Sequence, residues 1–410
     1  MQDFIDFLVE SPSSYHAAAE VARRLDKAGF TRHEETDAFD ASAGGHYVVR
    51  GGAIMAYVVP DSVDVDTAGF RIVGSHTDSP GLKLKPGESF DSAGWQQASV
   101  EIYGGPILST WLDRELKLAG RVVDADGAVR LVDTGPILRL PSLAIHLYRE
   151  DEMKLGRQKH MQPVYAAEAE SQPLREVLGS EMVSHDLITV DAQPPAVFGL
   201  NEDFFAAGRL DNLSSVYPSL QALLAAVEGG YAGEDILVLA AFDHEEVGSR
   251  TTTGAAGPFL EDVLSRIAAA LGADFDQTRR MYQRSFCVSA DAAHSVHPNY
   301  QDKHDPVTQP LINQGPVIKS NANQHYGTDA VTAHRFLTAC AVADVPVQAF
   351  VGNNDVPCGS TIGPITATRL GIPTVDVGIP LISMHSAREM CGVYDVQWFE
   401  QALLSFYTLD

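Results

Sequence analysis

DILVLAAFD (235–243) is an unbroken apolar run closed by acidic residues. Such a run fits a strand buried on both faces, the kind found in a parallel sheet covered by helices. Working outward, a helical stretch precedes it (SSVYPSLQALLAAVEG, after Asp211) and another follows (PFLEDVLSRIAAALG). Downstream come strand SFCVSAD (285–291), helix AVTAHRFLTACAVA, and strands PVQAFVG and TVDVG (374–378). Upstream, Tyr15, Ala18, Ala19, Ala22 and Leu25 recur at helical spacing up to Gly29, and AIMAYVVP (53–60) and FRIVGSH (70–76) read as buried strands. This alternation predicts an α/β sheet with helices on both faces.

Residues 87–200 read differently. They carry short β-like runs and no long amphipathic helix, and they are punctuated by Gly104-Gly105-Pro106, Gly135-Pro136, Pro163 and Pro194-Pro195. GRVVDADGAVRLVD (120–133) reads as two alternating strands around the turn Asp126-Gly127. The expected organisation is an α/β domain formed by residues 1–88 and 200–410, with a β-rich domain inserted at 89–199.

Composition excludes several classes. With 45% hydrophobic and 20% charged residues, the chain is an ordinary globular one. Lys+Arg is 29 and Asp+Glu is 54, a net charge of −25, the wrong sign for coating nucleic acid. No stretch has the apolar length of a membrane span. The start, MQDFIDFLVESPSSYHAAAE, lacks the basic region and apolar run of a signal peptide. The four cysteines (Cys287, Cys340, Cys358, Cys391) form no CxxC pair and suit a reducing compartment. A cytoplasmic protein is expected.

The chemistry gathers at strand ends. His76 ends FRIVGSH, Glu245 and Glu246 follow ILVLAAFDH, Asp291 ends SFCVSAD, and His385 follows TVDVG by a short loop. Asp211 heads a helix after the Gly208-Arg209-Leu210 turn. In open α/β sheets, ligands bind beyond the carboxyl ends of the strands. Two imidazoles and several carboxylates form a ligand set for zinc, cobalt or manganese. That is too many groups for one catalytic zinc, but they suit two ions about 3.5–4 Å apart bridged by a carboxylate. Read as an extended segment, the adjacent glutamates point to opposite sides, Glu246 to a metal and Glu245 to the substrate as general base. Taken singly, each residue has a plainer account: a rim histidine, a helix-capping aspartate, a solvated glutamate pair. Small residues crowd each candidate (Gly74-Ser75, Gly208, Ser289-Ala290) and favour the joint metal site.

The motifs GSHTDSPGLKLKP (74–86), GRLDNLSS (208–215), FDHEEVGS (242–249), SADAAHSVHPN (289–299), GPVIKSNANQHY (315–326), NNDVPCGSTIGP (353–364) and SMHSAREM (383–390) resemble those of the aspartyl aminopeptidases, a family of di-metal metallopeptidases. The resemblance implies a mixed-sheet, three-layer metallopeptidase domain and a two-zinc site. His76, Asp211 and Asp291 would hold one ion, and Asp211, Glu246 and His385 the other, with Asp211 as the bridge. It also implies Glu245 as general acid/base, Asp78 as the group orienting His76, and a cis Asp211-Asn212 peptide. The implied substrates are peptides with an N-terminal Asp or Glu, met by Lys319 with Tyr326 nearby. Arg388 is a second candidate cation, more simply read as half of an ion pair. His160, in RQKHMQPVY, would reach a neighbouring subunit's site. The inserted domain would form dimers within a tetrahedral dodecamer. His244, His294, His297 and His325 are read as rim or supporting residues.

Other readings stay open. One is a broader aminopeptidase or an amide deacylase on the same scaffold. Another is a non-catalytic oligomeric shell or metal store, which has no need of Glu245.

Overall fold

The computed structural model describes residues 1–149, 153–167 and 172–409. Its centre is a nine-stranded sheet in the order Thr31–Arg32, Gly44–Arg50, Ala53–Val59, Ile236–Phe242, Phe70–His76, Phe286–Ala290, Thr374–Gly378, Val317–Ser320, Gln348–Val351. The sheet is mixed. Ile236–Phe242, Phe70–His76, Phe286–Ala290 and Thr374–Gly378 run parallel, while Ala53–Val59 and Val317–Ser320 pair with them antiparallel.

The apolar runs are continuous because both faces are covered. Along Ile236–Phe242, Leu237, Leu239 and Ala241 enter one core, and Ile236, Val238, Ala240 and Phe242 enter the other. The first core is closed by helices Ser14–Lys27, Leu210–Glu228, Ala330–Val342 and Asp395–Thr408. The second is closed by Phe259–Ala270, Phe275–Arg284 and Ile362–Leu370. The result is three layers, as expected.

A second sheet closes on itself. Its strands follow the order Met182–Asp191, Gly81–Ser92, Trp95–Tyr103, Val164–Ala166, Leu138–Arg139, Glu115–Asp124, and Met182–Asp191 pairs back onto Glu115–Asp124. Val129–Asp133 extends it and forms the hairpin read from Asp126-Gly127. Leu82, Leu84, Val100, Leu116, Leu118, Val122 and Leu187 fill the interior. This barrel-like unit starts at Gly81, the first residue of a strand that runs past residue 89, and its last strand ends at Asp191. A small three-stranded sheet (Ala196–Phe198, Phe204–Ala207, Glu389–Gly392) follows. Among the described residues no helix is long and apolar enough to cross a membrane.

Some helices lay outside the sequence reading. Phe275–Arg284 is polar, with only Met281 and Tyr282 buried, so its apolar period is faint; the capping box of Asp274 and Gln277 was its usable signal. The helix assigned from Leu210 contains two non-helical residues, Asp211 and Asn212, joined by a cis peptide bond. Asp211 therefore stands at an irregular entry to the helix.

Gly378 shows how tightly the strand ends meet. A Cβ there would collide with the carbonyl of Asp291, whose N–H donates to Val377 O at 2.8 Å. Gly378→Ala should cost about 1–3 kcal/mol, read as a lower denaturation midpoint in urea.

Candidate metal centre

The parallel strands place their carboxyl ends in one line. Phe242 is in register with His76, Ser289 with Gly74, and Ala290 with Val377. The turns beyond these ends therefore open into one crevice. Its lining includes Asp211, Glu245, Glu246, Asp291, Lys319, Tyr326, Ser360, Thr361 and His385, around about 680 Å³ of open space.

Asp211 is the hub. Its Oδ1 lies 3.3 Å from His76 Nε2, and its Oδ2 lies 3.3 Å from His385 Nε2. His76 Nε2 also faces Asp291 Oδ1 at 3.5 Å, and His385 Nε2 faces Glu246 Oε2 at 3.4 Å. Two groups compact enough for an ion result: His76, Asp211 and Asp291, and Asp211, Glu246 and His385. His76, Glu245 and Glu246 make a third such group among the described residues.

The far side of each imidazole is held. His76 Nδ1 sits 3.0 Å from the Asp78 carbonyl and 3.4 Å from Asp78 Oδ1. His385 Nδ1 sits 3.1 Å from the Gly105 carbonyl. Such partners fix the ring and leave Nε2 for an ion. Gly105 belongs to the turn that leaves the barrel strand Trp95–Tyr103, so the barrel supplies part of the centre. Gly104 must be small, because a Cβ there would press on Glu246.

Asp78 does more than orient His76. Its Oδ1 accepts the Glu245 N–H at 3.0 Å, and its Oδ2 accepts the Glu246 N–H at 3.1 Å and the Tyr103 hydroxyl at 2.7 Å. One buried carboxylate thus ties His76, the glutamate pair and the barrel together. Here the sequence reading needs correction. Glu245–Val247 is a short 3-10 turn, entered through His244 in the left-handed region, and not an extended segment. The two side chains diverge because successive residues of such a turn are about 120° apart. Glu246 turns to His385, and Glu245 Oε2 lies 4.0 Å from His76 Nε2.

Lys319 is buried. Its Nζ donates to Asp291 Oδ2 at 3.3 Å and to the Ala292 carbonyl at 3.1 Å, with the Tyr326 ring 5.1 Å away. Among the described residues Arg388 pairs with no acid; it donates to the carbonyls of Gln193 and Pro194. His160 is exposed on a turn of the insert, its Nδ1 accepting the Gly156 N–H, and it does not line this cavity. His294 lines the cavity; His244 faces the Thr251 and Thr253 hydroxyls, and His297 and His325 are not among the lining residues.

The donor set fits divalent zinc. Asp211 Oδ1 and Glu246 Oε1 are buried without a hydrogen-bond partner among the described residues. Lys319 is the one Lys or Arg among the described lining residues, against several carboxylates. Buried like charges of this density need a counter-cation. Burial, helped by Asp291 and Glu246, pushes Glu245 up to about 8, and burial pushes Glu246 up to about 7. Burial would also raise Asp211, but the His385 and His76 contacts outweigh it and hold Asp211 below its usual range.

These shifts give the metal-free protein a distinct pH response. Glu245 and Glu246 ionise near 4.5 when unfolded and near 8 and 7 when folded, so stability falls as pH rises through that interval. His385, opposed by burial but raised to about 11 by Asp211 and Glu246, contributes fully below 6.5 and loses that contribution toward 11. Asp211 stays ionised throughout. The thermal midpoint of chelator-treated protein should therefore drop from about pH 6 to about pH 9, and zinc-loaded protein should drop less. Parallel melts of the two forms check this.

The family model described as aminopeptidase I zinc metalloprotease (M18) matches residues 7–407. A probable M18 family aminopeptidase 2 of Streptomyces coelicolor is 47% identical, over 98% of this chain and 96% of its own length. The aminopeptidase of Thermotoga maritima (M18 family) superimposes with a TM-score of 0.88 at 25% identity, covering 99% of this chain and 95% of that one. The mApe1 dodecamer of S. cerevisiae gives 0.87 at 27% identity, covering 100% and 96%. With this match along nearly its whole length, the chain belongs to the M18 family of zinc metalloprotease aminopeptidases.

Proposed function

We propose that this aminopeptidase uses two zinc ions per chain to remove acidic residues, Asp or Glu, from peptide N-termini. The observation that carries the reading is Asp211, with one carboxylate oxygen toward each of two imidazoles at 3.3 Å. His76, Asp211 and Asp291 are assigned to one ion, and Asp211, Glu246 and His385 to the other. Zinc in such a pair supplies Lewis acidity and makes water a nucleophile near neutral pH.

The chain's own groups do the rest. Glu245 lines the cavity with its Oε2 4.0 Å from His76 Nε2, placed to take a proton from the attacking water and return it to the leaving amine. Asp78 keeps Glu245 aimed by holding its backbone N–H. The crevice, with about 680 Å³ of open space, is large enough to receive the end of a peptide. Lys319 and Tyr326 form the inner wall, and Lys319 is assigned to the substrate's acidic side chain. Two of its three N–H bonds serve Asp291 and Ala292, which leaves one to give.

A broader aminopeptidase has one observation in its favour, that same commitment of Lys319 to Asp291. Rates on Asp-, Glu-, Leu- and Lys-anilides decide between the two. Asp and Glu should lead, and Lys319→Met should remove that lead while keeping turnover of Leu. Equal rates for Leu and Asp in the unaltered enzyme would reject the acidic preference.

Glu245→Gln tests the catalytic assignment. Turnover should fall by about 100-fold or more with zinc content retained. Unchanged turnover would reject Glu245 as the general base.

We also assign the barrel to contacts between copies, in a dodecamer like that of the yeast relative. Val129, Ile145, Leu147 and Val183 leave 62%, 66%, 74% and 57% of their surface exposed on the insert, which supports a covered face. His160 is assigned to a neighbouring copy's cavity: it is exposed, and its bonded Nδ1 leaves Nε2 to carry the proton. The described cysteines are all free, in keeping with the cytoplasm.

A further inference from the structure

Glu389 lies outside every compact ligand group and does not line the cavity. It is nonetheless 1% exposed and touches both halves of the second group. Its Oε2 accepts the backbone N–H of Asp211 at 3.0 Å, and its Oε1 accepts the backbone N–H of His385 at 2.7 Å. These two residues belong to segments far apart in the chain. Each follows a left-handed turn: Arg209 has φ +63° before Asp211, and Ser383 (φ +59°) and His385 itself (φ +67°) bend the other loop.

Strand pairing sets where Glu389 stands. It is the first residue of strand Glu389–Gly392 and is in register with Ala207, the last residue before the Gly208-Arg209 turn. The sheet therefore delivers one carboxylate beneath the turn that carries Asp211, while the four residues back to His385 curl over its other oxygen.

We infer that Glu389 is a positioning residue that fixes the spacing of Asp211 and His385, and so builds the second of the two metal positions. The inference rests on the two-ion reading above. It weighs more on the second position, where Glu389 holds two of the three residues, than on the first, which it reaches through Asp211 alone. His76 is held through Asp78, and Asp291 through its backbone bond to Val377. A carboxylate is required, since each oxygen takes one N–H. The amide of glutamine offers one acceptor, and its NH₂ would confront the other N–H. Aspartate keeps the charge but is a methylene short.

The test is cobalt(II) titration of the full-length metal-free protein, followed by visible absorption, with bound metal counted by elemental analysis. The unaltered protein should fill in two steps, to two ions per chain. Glu389→Gln should weaken the second step by about 10- to 100-fold and the first by clearly less, with excess cobalt restoring both. Glu389→Asp should show the same selective loss, and it carries the test if the glutamine variant does not fold. A variant that binds both ions as the unaltered protein does, or loses both together, overturns the inference. An unaltered protein that holds one ion or none overturns the two-ion reading itself, whatever the variants do.

Discussion

Asp211 presents one oxygen to His76 and the other to His385, at equal distances, from a buried position. Everything else at the centre can be understood as making that sharing possible. Asp291 and Glu246 flank it, each facing one of the imidazoles, and Glu245 stands across from His76. Burial raises Glu245 and Glu246, and repulsion from the neighbouring carboxylates adds to the rise. Divalent cations convert that repulsion into coordination.

The fold answers the demand from several directions. Parallel strands line up His76 and Asp291, the turn after Ile236–Phe242 brings both glutamates, and the irregular start of the helix from Leu210 brings Asp211. The barrel contributes as well. Tyr103 bonds Asp78, and the Gly105 carbonyl holds His385. A unit inserted in the chain, and assigned above to contacts between copies, thus also steadies the reactive groups. Asp78 and Glu389 play parallel parts: each uses both carboxylate oxygens to fasten backbone N–H groups that carry site residues.

Much of this was legible in the residues. DILVLAAFD and FRIVGSH announced strands covered on both faces, and their ends marked His76 and the glutamate pair. The hairpin at Asp126-Gly127 followed from turn chemistry. Glu245 and Glu246 diverge as successive residues of a 3-10 turn and not of a strand, and the left-handed His244 that sets up the turn cannot be read from a run of letters. Gly105, Tyr103 and Glu389 went unnoticed for a common cause: their parts depend on which backbone atoms lie opposite, and that is settled by packing between distant segments. Arg388 was expected in an ion pair and instead bonds two carbonyls of a loop that sequence does not place nearby.

Anomalous diffraction at the zinc edge, from crystals grown with zinc, addresses the shared carboxylate most directly. Two peaks per chain should appear about 3.5–4 Å apart, one beside His76 and one beside His385, with Asp211 between them. A single peak, or two peaks that Asp211 does not join, would contradict this account.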